Sequence, residues 1–187
     1  MASIIVDQRD MQRRGGICAK VPVACMVADL LRSAGLEAKS LTVFDITYGE
    51  GRFWAASRPR VLIGADINML DWVVKPDVFI PAPAWQSWRI VKKLGIQVDL
   101  IVADPPWSDR GSSKRRHFGL DRALGSPRLI LEAATRAARE LGAKYLLVHF
   151  KNRWVPQGFS VVSERTWSPV TRYVQAGTTW WGLLRRG

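Results

Sequence analysis

The chain has 187 residues, 48% of them hydrophobic, which is enough for one domain with a sizeable core and short for two. No run reaches the roughly 18 consecutive apolar residues of a membrane span. The opening MASIIVDQRDMQRRGG puts its apolar residues before its arginines, the reverse of a signal peptide, so a cytoplasmic protein is expected. Lys and Arg number 28 against 16 Asp and Glu, a net charge of +12, which points to a polyanionic partner, nucleic acid first.

In chain order, residues 1–19 read as an N-terminal extension, expected to be flexible. PVACMVADLLRSAG (22–35) reads as a helix, with Pro at its first position and Gly just past its end. Cys18 and Cys25 lie about two helical turns apart and are read as small buried residues on one helix face. No Cys-x-x-Cys pair exists, and His117 and His149 are isolated, so no metal site is expected. SLTVFDI (40–46) is a buried strand, followed by a Gly-rich turn and a short helix over RFWAAS. RVLIGAD (60–66) is a second strand, INMLDWVV (67–74) a helical turn or two, and DVFI (77–80) a short third strand. PAWQSWRIVKKLG (83–95) is a helix closed by Gly, and VDLIVAD (98–104) a fourth strand. SPRLILEAATRAARELG (126–142) is the clearest helix, capped by Ser and ended by Gly. KYLLVHF (144–150) is a fifth strand, and the tail holds two more, 158–167 and 172–186, paired antiparallel.

Nearly all-apolar strands alternating with helices predict an α/β fold. A mostly parallel sheet is covered by helices on both faces, with antiparallel strands at its C-terminal end, in one domain spanning 1–187. In such sheets ligands bind beyond the carboxyl ends of the strands. FDITYGEGRFW (44–54) follows the first strand, and its Gly49 and Gly51 allow close approach of backbone to a ligand. Asp66 ends the second strand, where an acid can accept both hydroxyls of a ribose. Nicotinamide and S-adenosylmethionine sites share this pairing. The dinucleotide fingerprint wants a third glycine where Trp54 stands, and an acid in the turn, Asp45, suits a cationic sulfonium better than a pyrophosphate.

DLIVADPPW (99–107) ends the fourth strand in an acid, two prolines and an aromatic. An exocyclic base amine is a poor nucleophile because its lone pair is delocalised into the ring. Fixed acceptors for its hydrogens let the nitrogen pyramidalise, and their stabilisation grows in the transition state. Asp104 supplies a carboxylate and Pro105 a carbonyl. Pro105 and Pro106 fix the backbone, and Trp107 offers a stacking face. The alternative is a proline-braced turn with a surface tryptophan.

This run resembles the S-adenosylmethionine-dependent amino-methyltransferases, whose catalytic motif is [DNS]-P-P-[WYF]; DPPW at Asp104–Trp107 matches it fully. The likeness extends over roughly Lys20 to Phe150. It implies a Rossmann-like domain and S-adenosylmethionine held by Asp45, Thr47, Gly49, Gly51 and Asp66. It also implies Lys20, beside Pro22, on a helix over the methionine end. The acid that often follows the third strand in this family is replaced by Pro81 and Ala82. Adenine is therefore expected to rest on apolar contacts such as Ile67 or Ile80.

Downstream, SDRGSSKRRHFGLDR (108–122) carries Arg110, Lys114, Arg115, Arg116 and His117 beside the presumed base pocket, a basic loop suited to phosphates flanking a flipped nucleotide. The tail tryptophans Trp154, Trp167, Trp180 and Trp181 are read mostly as core. A single domain without a recognition module favours structured RNA, ribosomal RNA first. The DITYGEG turn resembles that of the ribosomal RNA cytidine N4 enzymes, whereas DPPW is common among adenine N6 enzymes, so cytidine N4 is expected, with adenine N6 on RNA or DNA as the alternative. A non-enzymatic RNA-binding protein would explain the charge but leaves Asp104, Asp66 and the glycines without a role.

Overall fold

The apolar runs pair into one sheet. It is seen in a computed structural model that describes residues 4–105, 126–168 and 178–187. The strands are β1 (Ile4–Asp7), β2 (Thr42–Asp45), β3 (Val61–Asp66), β4 (Val78–Pro81), β5 (Leu100–Ala103), β6 (Tyr145–Phe150), β7 (Phe159–Ser168) and β8 (Thr179–Arg186). The helices are α1 (Gln8–Arg13), α2 (Gly16–Lys20), α3 (Pro22–Ser33), α4 (Ala84–Lys93) and α5 (Pro127–Glu140). The sheet order is β1-β7-β8-β6-β5-β2-β3-β4. Every pairing is parallel except those of β8, which runs against both β6 and β7. The predicted α/β architecture, including the antiparallel C-terminal pair, is what the chain adopts.

Strand residues alternate between two cores because successive side chains point to opposite faces. Phe44, Ile63, Ile101, Leu146 and Val148 pack with α4 and α5, whereas Val43, Leu62, Leu100, Val102 and Leu147 pack with α1 and α3. Both faces are apolar, so the strands read as continuous hydrophobic runs. The helices stop where the sequence says. Ser126 caps α5 by accepting the Leu129 N–H at 3.2 Å, and Gly35 ends α3 at φ +71°. Trp167, Trp180 and Trp181 are buried and Trp154 half-buried, in keeping with their reading as core.

Three expectations are corrected. The N-terminal extension is structured from Ile4 on: β1 adds to the edge of β7 in parallel, and Met11 of α1 is buried in the α3-side core. Pairing the sheet edge and burying Met11 hold down a segment that has no clear pattern of its own. Cys18 and Cys25 are not separate thiols on one helix but a disulfide, with Cα atoms 5.6 Å apart. Pro22 disfavours helical backbone at Val21, so the helix breaks there and α2 folds back on the first turns of α3. The run 67–74 is irregular rather than helical. Its backbone bonds to the glycine turn instead of to itself: the Val73 N–H donates to the Glu50 carbonyl at 2.8 Å, and the Val74 carbonyl accepts the Tyr48 hydroxyl. Among the described residues no helix is long and apolar enough to cross a membrane.

Tyr48 lies over Gly64 of β3. A Cβ on Gly64 would come within 2.5 Å of the root of the Tyr48 ring, which is itself buried and anchored by its hydroxyl. Gly64→Ala should therefore overpack the joint between β3 and the glycine turn and destabilise by about 1–3 kcal/mol, measured by denaturant unfolding. An unchanged midpoint would mean the turn yields freely.

Candidate active site

The chain leaves β2 toward β3 and β4 on one side of the sheet, and returns through β5 and β6 on the other. The crevice at the carboxyl ends of β2 and β5 is therefore the topological switch point. Register pairs Asp45 with Val102, so Ile46 and Thr47 leave β2 beside Ala103 and Asp104 leaving β5. Thr47 joins the two. Its Oγ1 accepts the Asp104 backbone N–H at 2.7 Å and donates to Asp45 Oδ1 at 3.3 Å. The turn then bonds to β3: the Tyr48 N–H donates to the Ala65 carbonyl at 3.0 Å, and the Gly49 N–H to Asp66 Oδ2 at 3.1 Å. Gly49 needs its left-handed backbone (φ +53°) to aim that N–H. The other oxygen of Asp66 accepts the Asn68 N–H at 3.0 Å.

Two cavities open here. The larger, about 360 Å³, is lined by the Thr47–Glu50 turn, Arg52, Phe53, Asp66, Asn68, Leu70 and Asp104. The smaller, about 190 Å³, has mostly apolar walls that include Ile46, Ile67, Ala82, Pro83 and Ile130. Thr47, Asp66 and Asp104 line both, so one bound molecule can reach from one to the other past the two carboxylates.

Thr47, Gly49, Asp66, Ile67 and Asp104 thus come together as the sequence suggests. Pro105 is buried directly after Asp104. Pro106, Trp107, Arg110, Lys114, Arg115, Arg116 and His117 lie outside the described residues. Asp45, Gly51 and Lys20 line neither cavity. Lys20 is exposed at the end of α2. Gly51 is packed beneath the turn, where a Cβ would meet the Tyr48 hydroxyl at 2.5 Å and the Val74 carbonyl at 2.6 Å. Ile80 is core, and Ala82 takes the apolar wall after β4. Among the described residues no cluster of His, Cys, Asp and Glu could hold a metal.

Asp45 works from below. It is buried, accepts the Thr47 N–H and hydroxyl on Oδ1, and accepts the Trp54 indole N–H on Oδ2 at 3.1 Å. Burial pushes its pKa up to about 7 against the opposing pull of the Trp54 and Thr47 hydrogen bonds, with the nearby Asp104 charge adding to the rise. Trp54, which fills the third-glycine place, is thus the partner of the turn's acid.

One residue escaped the sequence reading. His149, buried in β6, meets Asp104 Oδ1 through Nδ1 at 2.8 Å and the Thr179 hydroxyl through Nε2 at 2.8 Å. Its ring stacks on Trp181 with centroids 4.0 Å apart. An isolated histidine in an apolar strand gives no such signal. The register of β5 on β6, Ala103 opposite Val148, is what brings the next residues together.

No family model matches the chain, and no curated protein matches it. Solved structures do. An rRNA methylase from Streptococcus thermophilus superposes with a TM-score of 0.50 at 14% identity, over 86% of this chain and 94% of that one. TrmN from Thermus thermophilus gives 0.53 at 18% identity over 90% of this chain, and SMU.776 complexed with SAH gives 0.58 at 9% identity over 82%. This chain has the Rossmann-like methyltransferase fold. It spans about half the length of the last two, 52% of TrmN and 47% of SMU.776.

The raised Asp45 pKa has a consequence for stability. The unfolded carboxyl ionises near its ordinary value of 3.8, the folded one only near 7, so ionisation favours the unfolded chain between them. Stability should fall as pH rises from about 4 to 7, by at most about 4 kcal/mol from this group, and level off above. Asp45→Asn should flatten that slope in denaturant titrations. The same slope in the variant would place the pH dependence elsewhere.

Proposed function

We propose that this protein transfers a methyl group from S-adenosylmethionine to an exocyclic base amine in RNA, with cytidine N4 of ribosomal RNA as the target. The observation that carries the reading is the placement of Asp104 on the wall shared by both cavities, tied through Thr47 to the turn that ends on Asp66.

The residues fit the cofactor. Each oxygen of Asp66 accepts one backbone N–H, which leaves lone pairs for the two ribose hydroxyls. Ile67, Ala82 and Pro83 form an apolar slot for a purine. Glu50 and Arg52, an ion pair on the wall of the larger cavity, offer both charges to a zwitterionic amino-acid end. Asp104 and Asp66, with no lysine among the described residues of either cavity wall, favour a cationic centre over a pyrophosphate.

When bound, S-adenosylmethionine supplies an electrophilic methyl on a cationic sulfur. Asp104 accepts an N–H of the base amine and stabilises the positive charge that develops on nitrogen. The Pro105 carbonyl is the second acceptor, and Pro106 holds it in place. Trp107 stacks on the extruded base, while Arg110, Lys114, Arg115, Arg116 and His117 serve the flanking phosphates. The net charge of +12 supports a polyanionic substrate, and the D-x-T-x-G-x-G turn favours cytidine. Adenine N6 uses the same acceptors and is the second reading, on the strength of DPPW.

Calorimetry should show S-adenosylhomocysteine binding and no NAD binding. Asp66→Ala should weaken the former by about 1–3 kcal/mol, because ribose hydroxyls lose a charged acceptor. Mass spectrometry of RNA nucleosides from cells lacking the protein should show loss of N4-methylated cytidine. Loss of N6-methyladenosine moves the target to adenine, and an unchanged nucleoside profile contradicts the RNA substrate.

A further inference from the structure

We propose that His149 is a positioning residue for Asp104, forming with Thr179 and Trp181 a buried clamp that fixes the carboxylate toward the substrate amine. This rests on the reading of Asp104 as the amine acceptor. The clamp is built from three sides. Nδ1 of His149 meets Asp104 Oδ1 at 2.8 Å, Nε2 meets the Thr179 hydroxyl at 2.8 Å, and the ring stacks on Trp181 at 12° between planes. Trp181 is fully buried and receives Phe53, which lines the larger cavity, at 5.1 Å between centroids. The ring therefore has no free rotation.

The partners also set the tautomer. A carboxylate only accepts, so Nδ1 carries the proton toward Asp104, and in the neutral ring Nε2 accepts the Thr179 O–H. A histidine oriented by one partner and orienting another is a recurring catalytic support. Here Asp104 stands at the end of a short strand, directly before two prolines, with its side chain 30% exposed at the cavities. Its backbone is held by Thr47. Among the described residues, only His149 holds its side chain. Oδ1 is taken by the ring, and no described residue takes Oδ2, which faces the amine in this proposal. Without His149 the carboxylate can turn about its side-chain bonds, and the angle at which it meets the amine is lost.

The test is methyl transfer from tritiated S-adenosylmethionine to total RNA from cells lacking the protein, with enzyme in excess. Affinities for S-adenosylhomocysteine and for the RNA are measured in parallel. His149→Phe keeps the stack on Trp181 and removes both hydrogen bonds. It should slow transfer about hundredfold, the order expected for a misplaced catalytic group, with both affinities unchanged. His149→Asn places an N–H near the Nδ1 position and should recover much of that loss. A histidine that only fills the core would give no such rescue. Thr179→Val, nearly isosteric, removes only the bond to Nε2 and should slow transfer severalfold, so it serves if the phenylalanine variant does not fold. Wild-type rates in His149→Phe or Thr179→Val, or an asparagine variant as slow as phenylalanine, overturn the proposal. Asp104→Ala in the same assay separates the two readings: a slow Asp104→Ala beside a fast His149→Phe removes the clamp alone, whereas a fast Asp104→Ala removes the amine-acceptor reading and the clamp with it.

Discussion

The hydrogen bond from the Asp104 backbone to the Thr47 hydroxyl is the constraint on which the rest of the site depends. It crosses the switch point of the sheet and joins two segments 57 residues apart. A threonine hydroxyl has one proton, and Thr47 gives it to Asp45, so its lone pairs face Asp104. The buried acid thereby directs a bond two steps away, and it also gathers Trp54 from the far side of the glycine turn. A slip of one residue between β2 and β5 would turn Thr47 and Asp104 to opposite faces. The observed register sets Val43, Phe44 and Asp45 against Leu100, Ile101 and Val102, which keeps the two on one side.

Charge is distributed unevenly in this chain. Among the described residues, a protein of net charge +12 places Glu50, Asp66 and Asp104 on its cavity walls, with Asp45 beneath, against one arginine already paired with Glu50. Burial is what chiefly raises the Asp45 pKa, and repulsion from the Asp104 charge adds a smaller part. A cationic ligand relieves that repulsion. Under the proposed function, the acidic crevice takes the cationic cofactor and the basic excess of the chain serves the phosphates of the substrate.

Much of this was legible in the sequence because it is local. Apolar runs, a Pro at a helix start, Gly at a helix end and an acid ending a strand each depend on neighbours within a few residues. The succession of strands and helices along the chain and the placing of the acids Asp66 and Asp104 at strand ends follow from such signals. What escaped depends on register or on tertiary competition. His149 meets Asp104 only because β5 sets Ala103 opposite Val148. The run 67–74 has helical spacing, but the Glu50 carbonyl and the Tyr48 hydroxyl capture its backbone. At Gly51 the tight packing against Tyr48 and Val74, which leaves no room for a Cβ, gives no signal in the sequence. The disulfide of Cys18 and Cys25 needed the break at Val21, which a helix running on through Pro22 would not contain.

A crystal structure with S-adenosylhomocysteine bound tests the central claim most directly, because the crevice joins the cofactor turn to Asp104 by geometry alone. The ribose hydroxyls should lie on Asp66, the adenine between Ile67 and Ala82, and the sulfur on the side of Asp104, with the bond from Asp104 to Thr47 intact. A ligand seated away from the Thr47–Gly49 turn, or one whose sulfur faces away from Asp104, would contradict it.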